Sequence, residues 1–334
     1  MSREFVRQSE RIPTVETPRG TLIPICFTDI DGTAIDETLP ENQRITTIEP
    51  ARVALQKLEH NGILVGGITG RAAGEALTIH KGLEISGVDI CEDGAVVVLP
   101  AQTRQDLLPK DWRVVGHRGR LCVVLSQLNK EKIQAFLEEV QSKLDMVNPK
   151  NSTNLITSIN ASPEEVMRHI RFPTREAASD STDRLASALV IDPNSEQLEI
   201  IGQLAPKYNI RTFARPLHLI GEDADKGRAL HFLDEHANMI FGGITEKPVQ
   251  GILPIGFGNN VNDLKIFNAI EKLGGKGVIV PHPNGGYFVN ESDIPSSVIK
   301  ATKPYGYGIE ETVPQVLAWF QSLKDVPSMS HTQP

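Results

Sequence analysis

The chain has 334 residues, of which 40% are hydrophobic and 23% are charged, and its formal net charge at pH 7 is −8. This length exceeds what one hydrophobic core usually serves, so we expect two domains. The acidic balance argues against a general nucleic-acid binder, which would need a basic face. An anionic substrate stays open, because a metal ion and a few local cations can reverse the field inside one cleft.

The cysteines and the first residues bear on the compartment. The three cysteines are sparse and odd in number, and Cys26 and Cys91 lie inside apolar, strand-like runs. Buried free thiols in a reducing compartment are therefore favoured over disulfides. The first residues are too polar for a secretory signal, and no apolar run is long enough to span a bilayer. We expect a soluble cytoplasmic protein that binds neither membranes nor nucleic acids; a homodimer is left open.

The first predicted element is a buried strand that ends in two carboxylates. The apolar run 22–27 precedes Asp29 and Asp31, and Gly32 then lets the chain turn. Side chains two residues apart in an extended segment point the same way, toward the sheet edge where open α/β sheets bind ligands. Two close anions favour a bound cation or a shared proton, which suits phosphoryl transfer. The alternative is an ordinary acidic turn.

A strand–helix alternation continues to about residue 80. The pattern predicts a helix over 45–60, a strand over 63–68 and an alanine-rich helix after it, which is the order of a parallel sheet. Residues 89–100 then predict two short strands around an Asp-Gly turn.

The middle of the chain predicts a small α+β module. The predicted elements are a strand over 120–125, a helix over 130–144, a strand over 155–159, a helix opening at 162–165, a strand over 187–191 and a helix over 197–208. The strand–helix alternation of the first 80 residues then resumes, with strands predicted over 216–220, 251–257 and 277–280 and helices over 226–238 and 263–273. We predict a doubly wound, Rossmann-like parallel-sheet core formed by residues 1–108 and 213–334, with residues 109–212 inserted as an α+β cap domain.

Three further polar segments accompany the predicted core. Thr69 follows the second strand, where its hydroxyl and the next amides can hold a phosphate oxygen or cap a helix. Lys226 opens a predicted helix against the macrodipole preference, which favours pairing with the two carboxylates over a solvated surface position. The Gly/Asn-rich segment 256–263 follows another strand and offers oxygen ligands for Mg²⁺, or else is a turn in which Asp263 caps the next helix.

These four segments, in this order, resemble the haloacid-dehalogenase-like phosphohydrolase superfamily. Its pattern is Asp-x-Asp-Gly-Thr, a Thr or Ser after a strand, a Lys, and Gly-Asp-x-x-Asn-Asp. The resemblance covers almost the whole chain and includes an α/β cap between the second and third segments. Within the superfamily the chain is most similar to the mannosyl-3-phosphoglycerate phosphatase branch, through residues 90–95, 175–180 and 226–230.

The resemblance implies a role for each matching residue. Asp29 would be the nucleophile that forms an aspartyl-phosphate, and Asp31 would be the acid toward the leaving oxygen and the base toward water. Thr69 and Lys226 would hold the phosphoryl oxygens. The implied substrate-binding residues are Gly70, Arg71, Arg175 and Asn262, and the implied Mg²⁺ ligands are Asp29, Asp31 (through its carbonyl oxygen), Asn259 and Asp263.

Asn259 departs from the family pattern. Aligning Asn262 and Asp263 with the family's Asn-Asp places Asn259 where the family usually has a metal-binding Asp. An amide oxygen still coordinates a hard cation, but the site loses one negative charge, so weaker Mg²⁺ binding is predicted. Asp263 would then act as a direct ligand, or activity would be low.

The predicted cap carries a group of cations, and an anionic leaving group would suit them. Arg168, His169, Arg171 and Arg175 lie within eight positions. Arg168 and Arg171 are better explained as a solvated helix face, whereas Arg175 is open to substrate contact. The sequence as a whole predicts a Mg²⁺-dependent phosphatase acting on a sugar phosphate or a glycosyl phosphoglycerate. A binding or regulatory protein with a weakened metal site and a phosphotransferase or phosphomutase are the alternatives.

Overall fold

The computed structural model describes residues 12–36, 39, 41–85, 87–147, 155–162, 183–213 and 217–324. Its strands are β1 Val15–Thr17, β2 Gly20–Thr28, β3 Leu64–Gly67, β4 Asp89–Cys91, β5 Val96–Val98, β6 Val114–His117, β7 Arg120–Val124, β8 Ser187–Val190, β9 Ile210–Phe213, β10 Leu217–Gly221, β11 Gly251–Gly258, β12 Lys276–Ile279 and β13 Ile299–Lys300. Its helices are α1 Glu41–His60, α2 Ala73–Leu83, α3 Lys130–Val147, α4 Ser195–Leu204, α5 Lys226–Glu235, α6 Ala237–Phe241, α7 Val261–Lys272 and α8 Tyr305–Lys324. Within these ranges no helix has both the length and the apolar character that crossing a membrane requires.

The centre of the molecule is a parallel sheet with the strand order β3-β2-β11-β12-β13. Strand β1 adds an antiparallel hairpin to the beginning of β2. Every residue of β2 after Gly20 is buried, as expected for a central strand covered on both faces. The prediction of a parallel α/β core is confirmed.

Helices cover both faces of this sheet, which makes it doubly wound. Leu22 and Cys26 of β2 pack with α1 and α8 on one face. Ile23, Ile25 and Phe27 of the same strand pack with α5 and α7 on the other face. The alternation follows from the strand's two-residue period, since successive side chains point to opposite faces of the sheet. Both faces therefore hold the strand that ends at Asp29 in place.

Two antiparallel sheets complete the described structure, with the orders β4-β5-β7-β6 and β8-β10-β9. Strand β5, which precedes the predicted boundary at residue 108, pairs with β7 beyond that boundary. Strand β10, which follows the predicted boundary at residue 213, pairs with β8 and β9 before it. Both boundaries thus fall between hydrogen-bonded strands, and the division into a core of residues 1–108 and 213–334 and a cap of residues 109–212 stays a proposal.

Two predicted elements differ in the structure. The sequence predicts that the strand from residue 216 belongs to the parallel core, whereas β10 is the central strand of an antiparallel sheet. The reason is that an apolar run identifies a strand without identifying the strands that pair with it. The strand predicted over 155–159 is reduced to one bridge between Thr157 and Val190. The Thr157 amide and hydroxyl both donate to Asn160 Oδ1, at 2.7 and 3.0 Å, so a local turn replaces the ladder. The helix predicted from residue 162 lies outside the described residues.

Candidate active site

Three parallel strands end side by side at one edge of the central sheet, and the predicted polar segments follow them. The amide of Asp29, just after β2, donates to the carbonyl of Phe257 in β11 at 2.8 Å. The amide of Ile68, just after β3, donates to the carbonyl of Thr28 at 2.9 Å. These bonds extend the sheet to its carboxyl edge, where parallel sheets collect their functional residues.

Lys226 lies between two carboxylates at this edge. Its Nζ is 3.2 Å from Asp29 Oδ1 and 3.1 Å from Asp263 Oδ1. All three side chains are buried, with relative exposures of 6% for Lys226, 5% for Asp29 and 0% for Asp263. Lys226 is the first residue of α5, whose N-cap is Asp225. A buried lysine is stable here because two anions and two hydrogen bonds offset the loss of its hydration.

The charges of this group perturb one another. Burial raises the pKa of Asp29 well above its usual range; Lys226 opposes that rise, while Asp263 and Asp31 add to it. Burial opposes protonation of Lys226, yet the neighbouring Asp263, Asp29 and Asp93 raise the pKa of Lys226 above its ordinary value. Lys226 therefore holds its charge more firmly than an ordinary lysine, and it is the neighbour that favours the ionised form of Asp29.

Asp31 lies beyond Asp29 at the turn that Gly32 makes with a φ of +75°. Arg71 binds both oxygens of the Asp31 carboxylate, with Nε 2.7 Å from Oδ2 and Nη2 2.5 Å from Oδ1. The Asp31 side chain is 36% exposed, so it faces the open side of the site. Arg71 also lies 3.7 Å from the buried Glu75, which helps to fix the guanidinium in place.

Thr69 and Gly70 form the loop after β3. Thr69 is 1% exposed, and its hydroxyl accepts the amide of Arg71 at 3.1 Å. Helix α2 begins only at Ala73, so the alternative in which Thr69 caps this helix is not what forms. A Cβ on Gly70 would lie 2.8 Å from an oxygen of Asp93, which explains why the smallest residue stands there.

Asp93 is a site residue that the sequence places in a turn and in the branch-like segment 90–95, without indicating a role at the site. It is buried, its φ is +56°, and its carboxylate lies 3.6 Å from His218 Nδ1. Burial alone would raise its pKa, but the neighbouring His218 and the charges of Lys226 and Arg184 lower the pKa of Asp93 below its usual value. The three consecutive positive φ angles of Glu92, Asp93 and Gly94 show that this turn aims the carboxylate at the site.

The Gly/Asn-rich segment joins β11 to α7. Asn260 is the N-cap of α7 and forms a capping box with Asp263, so the alternative in which Asp263 is the cap is wrong. Asp263 Oδ2 accepts the amides of Asn259 and Asn260 at 2.9 and 3.1 Å. Asn259 is buried, and its amide group lies against Gly32 of the first segment. Asn262 is exposed and lines a cavity together with Lys226.

The residues proposed for Mg²⁺ all offer oxygen atoms, which suits a hard cation. The Asp29 carboxylate and the Asn259 amide lie on adjacent strand ends, and the Asp31 carbonyl follows Asp29. Asp263 already accepts Lys226 on Oδ1 and two backbone amides on Oδ2, so a metal bound directly by Asp263 would share these oxygens with them. Among the residues that the structure describes, no group of three or more His, Cys, Asp or Glu side chains forms a metal site. The donors therefore fit Mg²⁺ in kind, with one carboxylate side chain, that of Asp29.

The structure brings together seven predicted site residues: Asp29, Asp31, Thr69, Gly70, Arg71, Lys226 and Asp263. Asn259 lies on the loop beside them, and Asn262 lies in the first turn of α7. Arg175 lies outside the described residues. The sequence reading missed Asp93 as well as Arg211 and Phe213 of β9, which line the same cavity as Lys226. The Asp-Gly pair after β4 was a signal for Asp93, whereas nothing in the local pattern around Arg211 indicated a site.

Comparisons with known proteins agree with this geometry. Residues 26–280 match the family model of the haloacid dehalogenase-like hydrolases. The search of curated proteins finds no match. The fold is similar to a haloacid dehalogenase-like hydrolase from Bacteroides thetaiotaomicron, at 16% identity and a TM-score of 0.56 over 88% of this chain and 99% of that one.

Two other solved structures show the same fold. One is a haloacid dehalogenase-like hydrolase from B. subtilis, at 18% identity and a TM-score of 0.51, covering 88% of this chain and 100% of that one. The other, a Bacteroides thetaiotaomicron protein described among the phosphatases of this superfamily, has 12% identity and a TM-score of 0.50, covering 90% and 96%. Because the matched family region spans most of the sequence and includes every segment of the site, the chain belongs to the haloacid dehalogenase-like hydrolases.

Proposed function

We propose that this chain is a magnesium-dependent phosphatase that hydrolyses a phosphomonoester through an aspartyl-phosphate on Asp29. The observation that carries the proposal is the position of Lys226 Nζ, 3.2 Å from Asp29 Oδ1 and 3.1 Å from Asp263 Oδ1. A buried ammonium group beside a carboxylate nucleophile reduces the repulsion between that carboxylate and an incoming phosphoryl group.

The chemistry divides between the two aspartates of the first segment. An oxygen of Asp29 attacks phosphorus, the bond from phosphorus to the leaving oxygen breaks, and Asp31 gives its proton to that oxygen. Water then attacks the phosphorus of the aspartyl-phosphate while Asp31 takes its proton, and the Asp29 carboxylate is restored with release of phosphate. Lys226 and the hydroxyl and amides of the Thr69 loop would stabilise the phosphoryl oxygens in both steps.

Magnesium would be held by Asp29, the carbonyl oxygen of Asp31 and Asn259, with waters completing its coordination. When bound, it supplies positive charge opposite the phosphoryl group. Asn259 contributes a neutral oxygen, so this chain binds the ion through fewer charged ligands than a site with Asp at that position. The oxygen donors of the loop and the buried Asp29 support this assignment.

The proposed substrate is a phosphorylated sugar or a glycosyl phosphoglycerate, in keeping with the similarity of residues 90–95 and 226–230 to the mannosyl-3-phosphoglycerate phosphatase branch. Arg175 is proposed to contact the leaving group. An Arg175→Ala variant should show a higher KM on a glycosyl phosphoglycerate, and an unchanged KM would remove Arg175 from the substrate-binding residues.

Phosphate release from a panel of sugar phosphates and glycosyl phosphoglycerates tests the function directly. Each assay is run with Mg²⁺, with chelator and with the Asp29→Asn variant. Turnover that requires Mg²⁺ and disappears in the variant supports the proposal, and the best substrate defines the specificity. A folded protein that releases no phosphate from any compound contradicts it.

One specific observation favours a second candidate, a binding or regulatory protein on the same fold. Asn259 replaces a charged ligand while the rest of the catalytic set is present, which is what a weakened metal site would look like. Such a protein would bind phosphorylated sugars without turnover. A phosphotransferase or phosphomutase would instead pass the phosphoryl group to a second hydroxyl, and product analysis separates these from a hydrolase.

A further inference from the structure

A cavity of about 80 Å³ lies beside Lys226. By the same measure one water needs about 10–15 Å³, so the cavity has room for several waters or a small acidic group. Its walls come from the cap-side strand β9, the start of α5, the start of α7 and the turn after β4. The lining residues are Asp93, Arg211, Phe213, Asp225, Lys226, Asn262 and Lys265.

Each of the two carboxylates in this wall already lies beside another side chain. Lys265 Nζ lies 2.6 Å from Asp225 Oδ2, and Asp225 also accepts the amide of Arg228 at 3.0 Å as the cap of α5. Asp93 lies 3.6 Å from His218 Nδ1, and its negative charge favours the charged form of Lys226. Neither carboxylate lies within salt-bridge distance of Arg211.

Arg211 is the cation of this cavity that has no acidic partner. Its Nη2 donates to the carbonyl of Ala224 at 2.9 Å, and its Nε is buried without a hydrogen-bond acceptor. The guanidinium carbon lies 6.0 Å from the centre of the Phe213 ring. Across the part of the chain that the structure describes, no carboxylate lies within salt-bridge distance of Arg211. A buried donor without an acceptor is costly unless a ligand supplies one.

We propose that Arg211, with Phe213 beside it, binds a second anionic group carried by the leaving part of the substrate. This inference rests on the proposed function, because Lys226 in the same wall is the residue that would hold the transferring phosphoryl group. The chemistry selected is a phosphomonoester whose leaving alcohol carries a carboxylate or a second phosphate. A planar guanidinium binds either group through paired hydrogen bonds, and the Phe213 ring presents an apolar face to the adjoining carbons.

Matched substrate pairs test the subsite in the intact protein. In the first pair, glycerol 3-phosphate has a neutral leaving group and 3-phosphoglycerate has a carboxylate on it. In the second pair, fructose 6-phosphate is the neutral member and fructose 1,6-bisphosphate carries the additional phosphate. Arg211→Gln should raise KM on the acidic member of a pair by about tenfold or more and leave the neutral member nearly unchanged. Arg211→Lys should recover part of the loss. Arg104→Gln, which removes an exposed arginine outside the cavity, is the matched control.

A binding measurement separates the subsite from catalysis. Titration calorimetry with D-glycerate and with glycerol, in the presence of inorganic phosphate, measures how much the carboxylate of the ligand adds to the affinity. The measurement requires no turnover. Wild type and Arg104→Gln should bind glycerate more tightly than glycerol, and Arg211→Gln should lose that preference. If no phosphoester is hydrolysed while this preference is present and depends on Arg211, the proposed phosphatase function fails and the anion subsite stands.

The results that overturn the subsite are equally defined. Arg211→Gln is compared with Arg104→Gln only when both melt as cooperatively folded proteins, and Arg211→Lys replaces it otherwise. Equal effects of the Arg211 variant on the acidic and neutral members of both substrate pairs contradict the proposal, as does a wild-type preference for glycerate over glycerol that Arg211→Gln keeps. An effect on the bisphosphate pair alone, with no preference for glycerate in wild type, supports the subsite and assigns it to a second phosphate.

Discussion

Arg71 holds both carboxylate oxygens of Asp31, at 2.7 and 2.5 Å, across the gap between the loops that follow β2 and β3. The pair fixes the orientation of the residue that we propose as acid and base. It also means that a leaving group must share Asp31 with Arg71 or displace one of its bonds. The pair therefore joins the two loops to each other.

The first prediction concerns this pair. Arg71→Lys should lower kcat by about tenfold or more, because an ammonium group cannot hold two carboxylate oxygens in a fixed plane. Steady-state kinetics on the best substrate measures the change, with Arg104→Lys as the control for loss of an exposed guanidinium group. A kcat equal to that of the control would show that the clamp has no part in turnover.

The second prediction links activity to stability through Asp29. Asp29→Asn should abolish phosphate release, a loss of about three orders of magnitude or more. Burial raises the folded-state pKa of Asp29. The contribution that Asp29 makes to the stability of the fold is therefore fully present below the pKa of an unfolded aspartic acid. It is lost as the pH rises through the folded-state pKa of Asp29. The uncharged variant should therefore gain stability over wild type, and the gain should grow with pH.

Urea denaturation in the presence of chelator, at about pH 5 and about pH 8, tests the predicted gain in stability of Asp29→Asn. The difference in the free energy of unfolding between Asp29→Asn and wild type should be larger at the higher pH. A variant that is less stable than wild type at both values would mean that the ion pair with Lys226 outweighs the burial of the charge.

The third prediction concerns the unusual ligand Asn259. Asn259→Asp should lower the Mg²⁺ concentration for half-maximal activity by about tenfold, since it restores a charged oxygen at the proposed site. Asn260→Asp is the matched control, because it adds the same charge one residue later while keeping a good helix cap. Equal magnesium curves for the two variants would place the ion elsewhere.

The fourth prediction concerns the buried Glu92, whose carboxylate accepts the amides of Leu185 and Ala186 at 2.8 and 2.9 Å and the hydroxyl of Ser187 at 2.6 Å. Glu92→Gln should reduce the free energy of unfolding by about 1–3 kcal/mol, because an amide nitrogen would replace one acceptor. Exposed Glu199→Gln should stay within about 0.5 kcal/mol of wild type. Denaturant unfolding measures the free energy of unfolding of both variants. Equal values for Glu92→Gln and Glu199→Gln would show that the hydrogen bonds of Glu92 do not stabilise the fold.

The sequence was most informative where local chemistry and strand ends coincide. Asp29, Thr69 and the 256–263 segment each follow an apolar run with a turn residue beside it, and a parallel sheet brings such positions together without further information. Lys226 could be assigned because a lysine at the first position of a helix is unfavourable without a partner. The prediction of these residues needs only the local sequence pattern and the rule that ligands bind at the carboxyl ends of parallel strands.

The rest depends on contacts between distant parts of the chain. Nothing around Arg211 or Phe213 indicates a cavity, since β9 comes close to Lys226 through its pairing with β10 and the bond from Arg211 to Ala224. The antiparallel partners of β10 and the pairing of β5 with β7 likewise follow from tertiary packing, which strand periodicity does not encode. The homodimer and the cytoplasmic location stay predictions.

The central sheet also has a consequence for synthesis on the ribosome. Strand β2, with the proposed nucleophile at its end, pairs with β11, and the amide of Thr21 finds its acceptor Gln250 across 229 residues of chain. A nascent protein lacking β11 therefore exposes an apolar strand edge, the kind of surface that pairs with other unfinished chains. Co-translational folding of the catalytic edge must wait until most of the protein has emerged, and truncated products should depend on chaperones more than the full chain does.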